Sequence, residues 1–330
     1  FFANEVAGEV AFGCENYGYS HEEIRNHVHR AAADIKIQDI LDHSLHSLSY
    51  GMRQKVAIAS AEAIDPEIYV MDEPSANLDI ASTYRFADII RDLKQQGKTI
   101  IIAEHRLYYL MDLADRFLCV QKGKIVREFT AQQMKALTNK EIQALGLRTP
   151  DLHQIEQTEI PSAATSEVVL EVKKLNHSFG ETIVAKDIDF QCRKGEVIAL
   201  IGPNGTGKST IGRILAGLLK EKSGEVVLFG KHCRPKGRLG KVWYIPQDLD
   251  SQLFGEDLLD ELTTGAEVSP ERKQAAEEIL EALELMPFIK QHPSTLSGGQ
   301  KQRLALGVAL MHEAPIIVLD EPTSGLDGTN

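Results

Sequence analysis

The chain is poor in the features that would place it outside the ordinary globular classes. It has four cysteines, Cys14, Cys119, Cys192 and Cys233, with no C-x-x-C pair among them. That spacing excludes a disulfide framework and a structural zinc knuckle, and points to unpaired thiols in a reducing compartment. No apolar run approaches the roughly 20 residues that span a bilayer, and no secretory leader is visible. Any work at a membrane is therefore expected to pass through a partner. Positive charge is also short: 36 Lys and Arg against 48 Asp and Glu give a formal net charge of −12, which disfavours a general nucleic-acid surface. The remaining composition, 43% hydrophobic and 25% charged, supports a folded chain with a sizeable core rather than disorder.

A long-period repeat organises the 330 residues. Leu48-Ser49-Tyr50-Gly51-Met52 returns as Leu296-Ser297-Gly298-Gly299-Gln300, and Tyr69-Val70-Met71-Asp72-Glu73-Pro74 returns as Ile317-Val318-Leu319-Asp320-Glu321-Pro322. Both pairs stand 248 residues apart, while Phe2 and Phe254, which open a similar short run, stand 252 apart. Such a period means two copies of a whole domain. The copies are expected at 1–120 and 167–330, joined by a linker at 121–166, with the start of the first and the end of the second cut away.

The apolar run Val197–Ile201 is expected to be a strand buried on both faces, as are Ile68–Met71, Thr99–Ala103 and Ile316–Leu319. Helices are expected over Ser209–Leu219, stopped by Gly224, and over Ala131–Leu145. Alternating strands and helices predict an α/β fold with a mostly parallel core.

Gly202-Pro203-Asn204-Gly205-Thr206-Gly207-Lys208-Ser209 fits G-x-x-x-x-G-K-[ST] between a strand and a helix. Glycines there let the backbone wrap tightly and aim N–H groups at phosphate oxygens, and the helix start adds a positive dipole end. Lys208 supplies a cation to the β- and γ-phosphates, Ser209 a hydroxyl for Mg²⁺, and Thr210 a further group in the same helical turn. Asp320 ends an apolar strand and suits the magnesium shell; Glu321 next to it is placed to polarise a water, with Asp72 and Glu73 repeating the pair. Ser297 and Gln300 make a capping box, which does not by itself require Gly298 and Gly299; two glycines ahead of a helix suit a second surface against phosphate. His21, His27, His29, His43 and His46 cluster on a polar helical segment that reads as solvated surface rather than a metal site, and Trp243 and Tyr244 read as packing.

In this order, phosphate loop, Gln247, L-S-G-G-Q and D-E-P-T-S-G-L-D, the sequence resembles the ABC transporter ATPases over nearly its whole length. The resemblance implies P-loop NTPase domains, each with a RecA-like parallel core and a helical signature subdomain, paired head to tail in tandem. ATP then lies between the phosphate loop of one domain and the signature helix of the other. It also implies that Phe179 stacks on adenine, although a strand-end aromatic can simply pack. Gln247 would touch Mg²⁺ and relay to the membrane partner, although a turn amide can simply face solvent. His105 would contact the γ-phosphate, and Asp79 and Asp327 would lie at the domain interface. The first signature departs from the pattern at Tyr50 and Met52 and keeps Ser49 and Gly51.

Within that family, Gln247-Asp248-Leu249-Asp250-Ser251-Gln252-Leu253-Phe254 and Leu145-Gly146-Leu147-Arg148 resemble the fused ATPases of energy-coupling factor transporters. These imply a membrane-spanning coupling subunit, a substrate-capture subunit and vitamin or metal-ion uptake at the cytoplasmic face of the cell membrane. A soluble tandem cassette acting on ribosomes, like the ABC-F factors, is the alternative, against which stands a linker without a dense basic run. The zinc-binding cysteine pairs of DNA-repair relatives are missing.

Overall fold

The computed structural model describes residues 1–330 except 49, 77, 122, 151–164, 266–268 and 324–330. The chain divides into two compact units that part within residues 151–164.

The first unit opens with three helices, α1 (Val6–Asn16), α2 (His21–Ile35) and α3 (Tyr50–Ala63). They share one core in which Val10, Cys14, Ala31, Ala32, Val56 and Ala59 are buried. The small residues let the helix axes approach closely, and Ser20 starts α2 with a capping box through Glu23. The histidines of α2 lie on its polar side, except that His27 packs against the Tyr19 ring and places Nδ1 2.6 Å from the Ala63 carbonyl. Among the described residues no group of three His, Cys, Asp or Glu could hold a metal ion.

Strand β1 (Ile68–Asp72) then pairs in parallel with β2 (Thr99–Ala103), Asp72 opposite Ala103, and the connecting helix α4 (Ile80–Gln95) buries Phe86, Ile90 and Leu93 in the same core. These strands were expected to be buried throughout. Of these two strands only Tyr69 is buried, with Met71, Ile100 and Ile102 half-buried, while Ile68, Val70 and Ile101 are exposed, because a two-stranded sheet covered by helix on one face leaves its other face open.

The expected linker from 121 is, as far as Leu147, a packed part of this unit. Strands β3 (Arg116–Gln121) and β4 (Lys124–Thr130) form an antiparallel hairpin. The single expected helix is two, α5 (Ala131–Lys135) and α6 (Asn139–Ala144), because Thr138 caps a new start with Glu141 as its partner. Leu107, Cys119, Phe129 and Met134 make a small core of their own here.

In the second unit the largest sheet is antiparallel, not parallel. Strands β5 (Val168–Phe179), β6 (Thr182–Arg193), β7 (Ser223–Leu228) and β8 (Lys231–His232) stand in the order β6-β5-β7-β8. The only parallel pair among the described residues of this unit is β9 (Val242–Ile245) with β10 (Ile316–Leu319), Leu319 opposite Ile245. Short α8 (Pro235–Arg238) precedes β9. The helices α9 (Leu258–Thr263), α10 (Pro270–Ala282) and α11 (Gly298–Met311) bury Leu258, Leu262, Leu280 and Leu304 against one another, mirroring α1–α3.

Two further expectations are corrected in this unit. Val197–Ile201 is irregular, with Val197 96% and Ile201 91% exposed. An apolar strand is stable only with a hydrogen-bonded neighbour, and no described strand pairs with it. Helix α7 runs Lys208–Leu215 and stops four residues before Leu219. Gly217 ends it in the left-handed region, at φ +78°, where a Cβ would meet the Pro235 carbonyl oxygen at 2.2 Å. All four cysteines are free, as the spacing predicts.

Candidate functional site

The phosphate loop of the second unit leads into α7 through Gly207, which occupies the N-cap position at φ +94°. A Cβ there would lie 2.5 Å from Val184 Cγ1 and 2.7 Å from the Val184 carbonyl oxygen, so only glycine fits. Lys208 turns back over the loop, Nζ donating to the carbonyls of Gly202 and Pro203 at 2.9 Å each, and Thr206 Oγ1 donates to Pro203 at 2.9 Å. The first backbone N–H groups of α7, around Ser209 and Thr210, have no intrahelical acceptor and are presented for an anion. Gly202, Asn204 and Gly205 complete this exposed cradle.

The same helix is pinned to the parallel pair. A Cβ on Gly212 would come within 3.1 Å of both the Tyr244 ring and Val318 Cγ1, so α7 lies directly on β9 and β10. Asp320 follows β10, its N–H donating to Ile245 at 2.9 Å, and the Tyr244 hydroxyl donates to Asp320 Oδ2 at 2.7 Å. Burial, and then the Asp320 carboxylate, push the Tyr244 hydroxyl's pKa well above its ordinary value. Tyr244 was expected only to pack; it also orients the site carboxylate. Replacing it with phenylalanine is expected to raise the Mg²⁺ needed for half-maximal ATP hydrolysis about three- to tenfold, the loss of one partly buried hydrogen bond to a charged group. ATP affinity without Mg²⁺ should stay unchanged; an unaltered Mg²⁺ titration would remove Tyr244 from the site.

Glu321 adopts φ +48°, and Glu73 in the first unit adopts φ +41°. Left-handed backbone is uncommon for residues other than glycine and concentrates where function holds a side chain in place. The same repeat position is left-handed in both copies, directly after the strand-end aspartates Asp72 and Asp320, as are two helix-end positions, Lys36 with Glu284 and Asp65 with Glu313.

The first unit shows what surrounds such a glutamate. Its N–H donates to Ala103 at 2.9 Å, and His105 Nδ1 lies 3.6 Å from Glu73 Oε1. His105 is largely buried, and its Nε2 has no hydrogen-bond partner among the described residues. Glu104, 1% exposed at its side chain, anchors the segment: it accepts from Ser75 Oγ at 2.6 Å, from the N–H groups of His105 and Arg106 at 2.8 and 3.0 Å, and from the Tyr109 hydroxyl at 3.0 Å. Burial and this carboxylate push the Tyr109 hydroxyl's pKa upward. Arg106 adds bonds to the carbonyls of Ser75 and Leu78. Glu104 was not among the sequence-derived candidates, because its role depends on folding this segment back against Ser75, 29 residues earlier in the chain.

At the signature segments, Ser297 caps α11 with Gln300 as the expected box, Gly298 starts the helix and Gly299 is buried. In the first unit Ser49 lies outside the described residues. A Cβ on Gly51 would meet only ordinary contacts, 3.5 Å to Leu78 and Ser82, so packing within the unit does not demand that glycine. Asp79 caps α4 by accepting from Ser82 N at 2.7 Å, and Asp327 lies outside the described residues. Phe179 ends β5 half exposed, its ring roughly perpendicular to that of His177 with ring centres 4.9 Å apart. Gln247 lies two residues past β9, exposed, at the strand end that Asp320 shares.

Comparison with known proteins agrees with this arrangement. Residues 3–76 and 185–324 match the profile of the ABC transporter family. A putative ABC transporter ATP-binding protein of Treponema denticola is 38% identical over 99% of the chain and 67% of its own length. A putative HMP/thiamine import ATP-binding protein, YkoD of Bacillus subtilis, is 30% identical over 98% of the chain and 64% of its own length. The chain thus spans about two thirds of these relatives. Among solved structures, ABCE1 in a model of ribosome-bound archaeal Pelota and ABCE1 superposes with a TM-score of 0.67 at 26% identity, over 98% of this chain and 52% of that one. A Clostridium perfringens CbiO1, part of a CbiONQ transporter complex, covers 50% of this chain and 70% of its own at 29% identity and a TM-score of 0.45. Family profile, full-length relatives and site geometry agree, and the chain belongs to the ABC transporter ATPase family of ATP-hydrolysing P-loop proteins.

Proposed function

We propose that the full-length protein is the fused ATP-binding and ATP-hydrolysing subunit of a membrane importer of the energy-coupling factor type, serving vitamin or metal-ion uptake from the cytoplasmic face of the membrane. The observation that carries this reading is the doubled acidic pair with its left-handed glutamate, Glu73 and Glu321, beside one phosphate loop in a single chain. The name of the Bacillus relative, a putative HMP/thiamine import ATP-binding protein, and the Q-D-x-D-x-Q-L-F run support the importer class. The membrane contact is then made through separate coupling and substrate-capture subunits, because no described helix is long and apolar enough to cross a bilayer.

In this proposal the triphosphate rests on the N-terminus of α7. Lys208 exchanges its carbonyl acceptors on Gly202 and Pro203 for phosphate oxygens, and Phe179 offers its half-exposed ring to the base. The oxygen donors of Ser209, Gln247 and Asp320 suit a small hard cation, with Tyr244 holding Oδ2 of Asp320 and leaving Oδ1. Mg²⁺ supplies charge neutralisation on the phosphates when bound. Glu321 orients the attacking water, and its first-unit counterpart Glu73 does so with His105 beside it.

A soluble ribosome-acting cassette is the second reading, supported by the superposition of 98% of this chain on half of the archaeal ABCE1 structure. Affinity purification of the full-length protein from detergent-solubilised native membranes separates the two. Recovery with two integral membrane proteins is the expected result. Recovery with ribosomes, in a sucrose gradient without detergent, would establish the rival.

A further inference from the structure

Within the first unit, α3 and the segment that runs into α4 leave a cavity of about 130 Å³ between them. Ile58, Leu78, Phe86 and Ile89 make its apolar wall, and all four belong to the buried core of the unit. Room remains there because small residues face each other. Gly51 on α3 has no side chain, and Ser82 on α4 ends in a hydroxyl 3.5 Å from where a Cβ on Gly51 would stand. Met52 adds a pliable apolar side chain to the wall. The second copy has Gln300 at that position, and its amide is engaged with the Ser297 N–H.

Two cations line the same cavity, Lys55 half-buried and Arg85 exposed. Neither forms an ion pair among the described residues, although the chain holds 48 acidic residues against 36 basic ones. Arg85 donates to Ser82 Oγ at 2.8 Å, one turn back on α4, and the acid one turn ahead, Asp88, is paired with Arg91 instead. Burial, and then the charges of Arg85 and Lys36, push the Lys55 pKa below its ordinary value. A half-buried ammonium acted on by other cations is unfavourable, and a bound anion relieves it.

Size, charge and wall together define the occupant. A cavity of this volume takes a molecule of about six non-hydrogen atoms. Lys55 and Arg85 call for one negative group, and the guanidinium fork suits a carboxylate. The four core side chains call for a short hydrocarbon. Inorganic phosphate would satisfy the cations but would set polar oxygens against Ile58, Phe86 and Ile89.

We propose that the cavity between α3 and α4 binds a small aliphatic monocarboxylate, with its carboxylate between Lys55 and Arg85 and its hydrocarbon end against Ile58, Phe86 and Ile89. The site lies within one unit and needs no membrane partner.

The experiment is calorimetric titration of the nucleotide-free full-length protein, at constant ionic strength, with acetate, propionate, butyrate, hexanoate and inorganic phosphate. Butyrate should bind saturably, with a Kd below about 1 mM. Affinity should rise about fourfold with each methylene from acetate to butyrate. Hexanoate should gain nothing further, because it outgrows the cavity. Lys55→Gln and Arg85→Gln should each weaken butyrate about tenfold, the loss of one charge-assisted hydrogen bond. Ser82→Leu keeps both charges, fills the space and should abolish saturable binding. The two charge variants stand at partly exposed positions and still judge the site should Ser82→Leu fail to fold. Absence of saturable butyrate binding overturns the proposal, as does phosphate binding as tightly as butyrate, which would leave only a patch of positive charge. Butyrate affinity indifferent to Lys55→Gln and Arg85→Gln also overturns it, by putting the ligand elsewhere.

Discussion

In the full-length protein, the double variant Glu73→Gln/Glu321→Gln should hydrolyse ATP about 10²- to 10³-fold more slowly than wild type and still bind it. Removing a residue that activates a water in the transition state costs about that factor, roughly 3–4 kcal/mol of barrier. Glutamine keeps the size of the side chain and one oxygen for hydrogen bonding, but cannot draw a proton from water. The backbone at both positions is already left-handed, at φ +41° and +48°, and glutamine adopts it no less readily, so the melting temperature should move little. Both glutamates are replaced because each copy carries one, and a surviving site would mask the loss. The measurement is single-turnover hydrolysis with excess enzyme, beside equilibrium ATP binding. Wild-type turnover in the double variant would remove both residues from the chemistry.

A single methyl group at Gly207 should be nearly as damaging, through binding rather than chemistry. Gly207→Ala places an L-residue at φ +94°, which costs about 1–2 kcal/mol. The new Cβ would also lie 2.5 Å from Val184 Cγ1 and 2.7 Å from its carbonyl oxygen, and such overpacking costs about 1–3 kcal/mol more. Carbonyl oxygen and strand backbone cannot swing aside as a flexible side chain can, so the loop must move. The start of α7 then no longer aims its N–H groups where the phosphates lie. ATP affinity should fall about 30-fold or more, the lower end of that combined cost. Thermal unfolding of the second unit should shift down only modestly, because the loop is exposed. Unchanged affinity would mean that the loop's conformation is not the one that holds phosphate.

The phosphate loop, the acidic pairs and the signature cap were legible because each is a short run whose chemistry lies in consecutive residues: Gly207 to Ser209, Asp320 with Glu321, Ser297 with Gln300. Helix and strand types were legible for the same reason, from local periodicity. Burial was not. Val70 and Val197 belong to apolar runs that read as interior, yet whether a strand is covered depends on which neighbours lie along its edges and faces, a property of the assembled sheet. Helix ends also misled where the deciding contact was distant: Gly217 stops α7 because Pro235 approaches it. By contrast, the break before α6 carried a readable signal in Thr138 and Glu141, a capping box inside an apparently continuous helix. Tyr244 and Glu104 escaped because their parts depend on pairing. The hydroxyl of Tyr244 reaches Asp320 only in the register that sets Leu319 opposite Ile245, and Glu104 ties its own segment, through Arg106 and Tyr109, to Ser75, 29 residues earlier.

The account stands on a nucleotide seated at the N-terminus of α7, and equilibrium binding reports on that most directly. Full-length Glu73→Gln/Glu321→Gln protein, which holds ATP without consuming it, should bind labelled ATP saturably in the presence of Mg²⁺ and lose a large part of that affinity when Gly207→Ala is added. Absence of saturable binding, or affinity indifferent to Gly207→Ala, would contradict it.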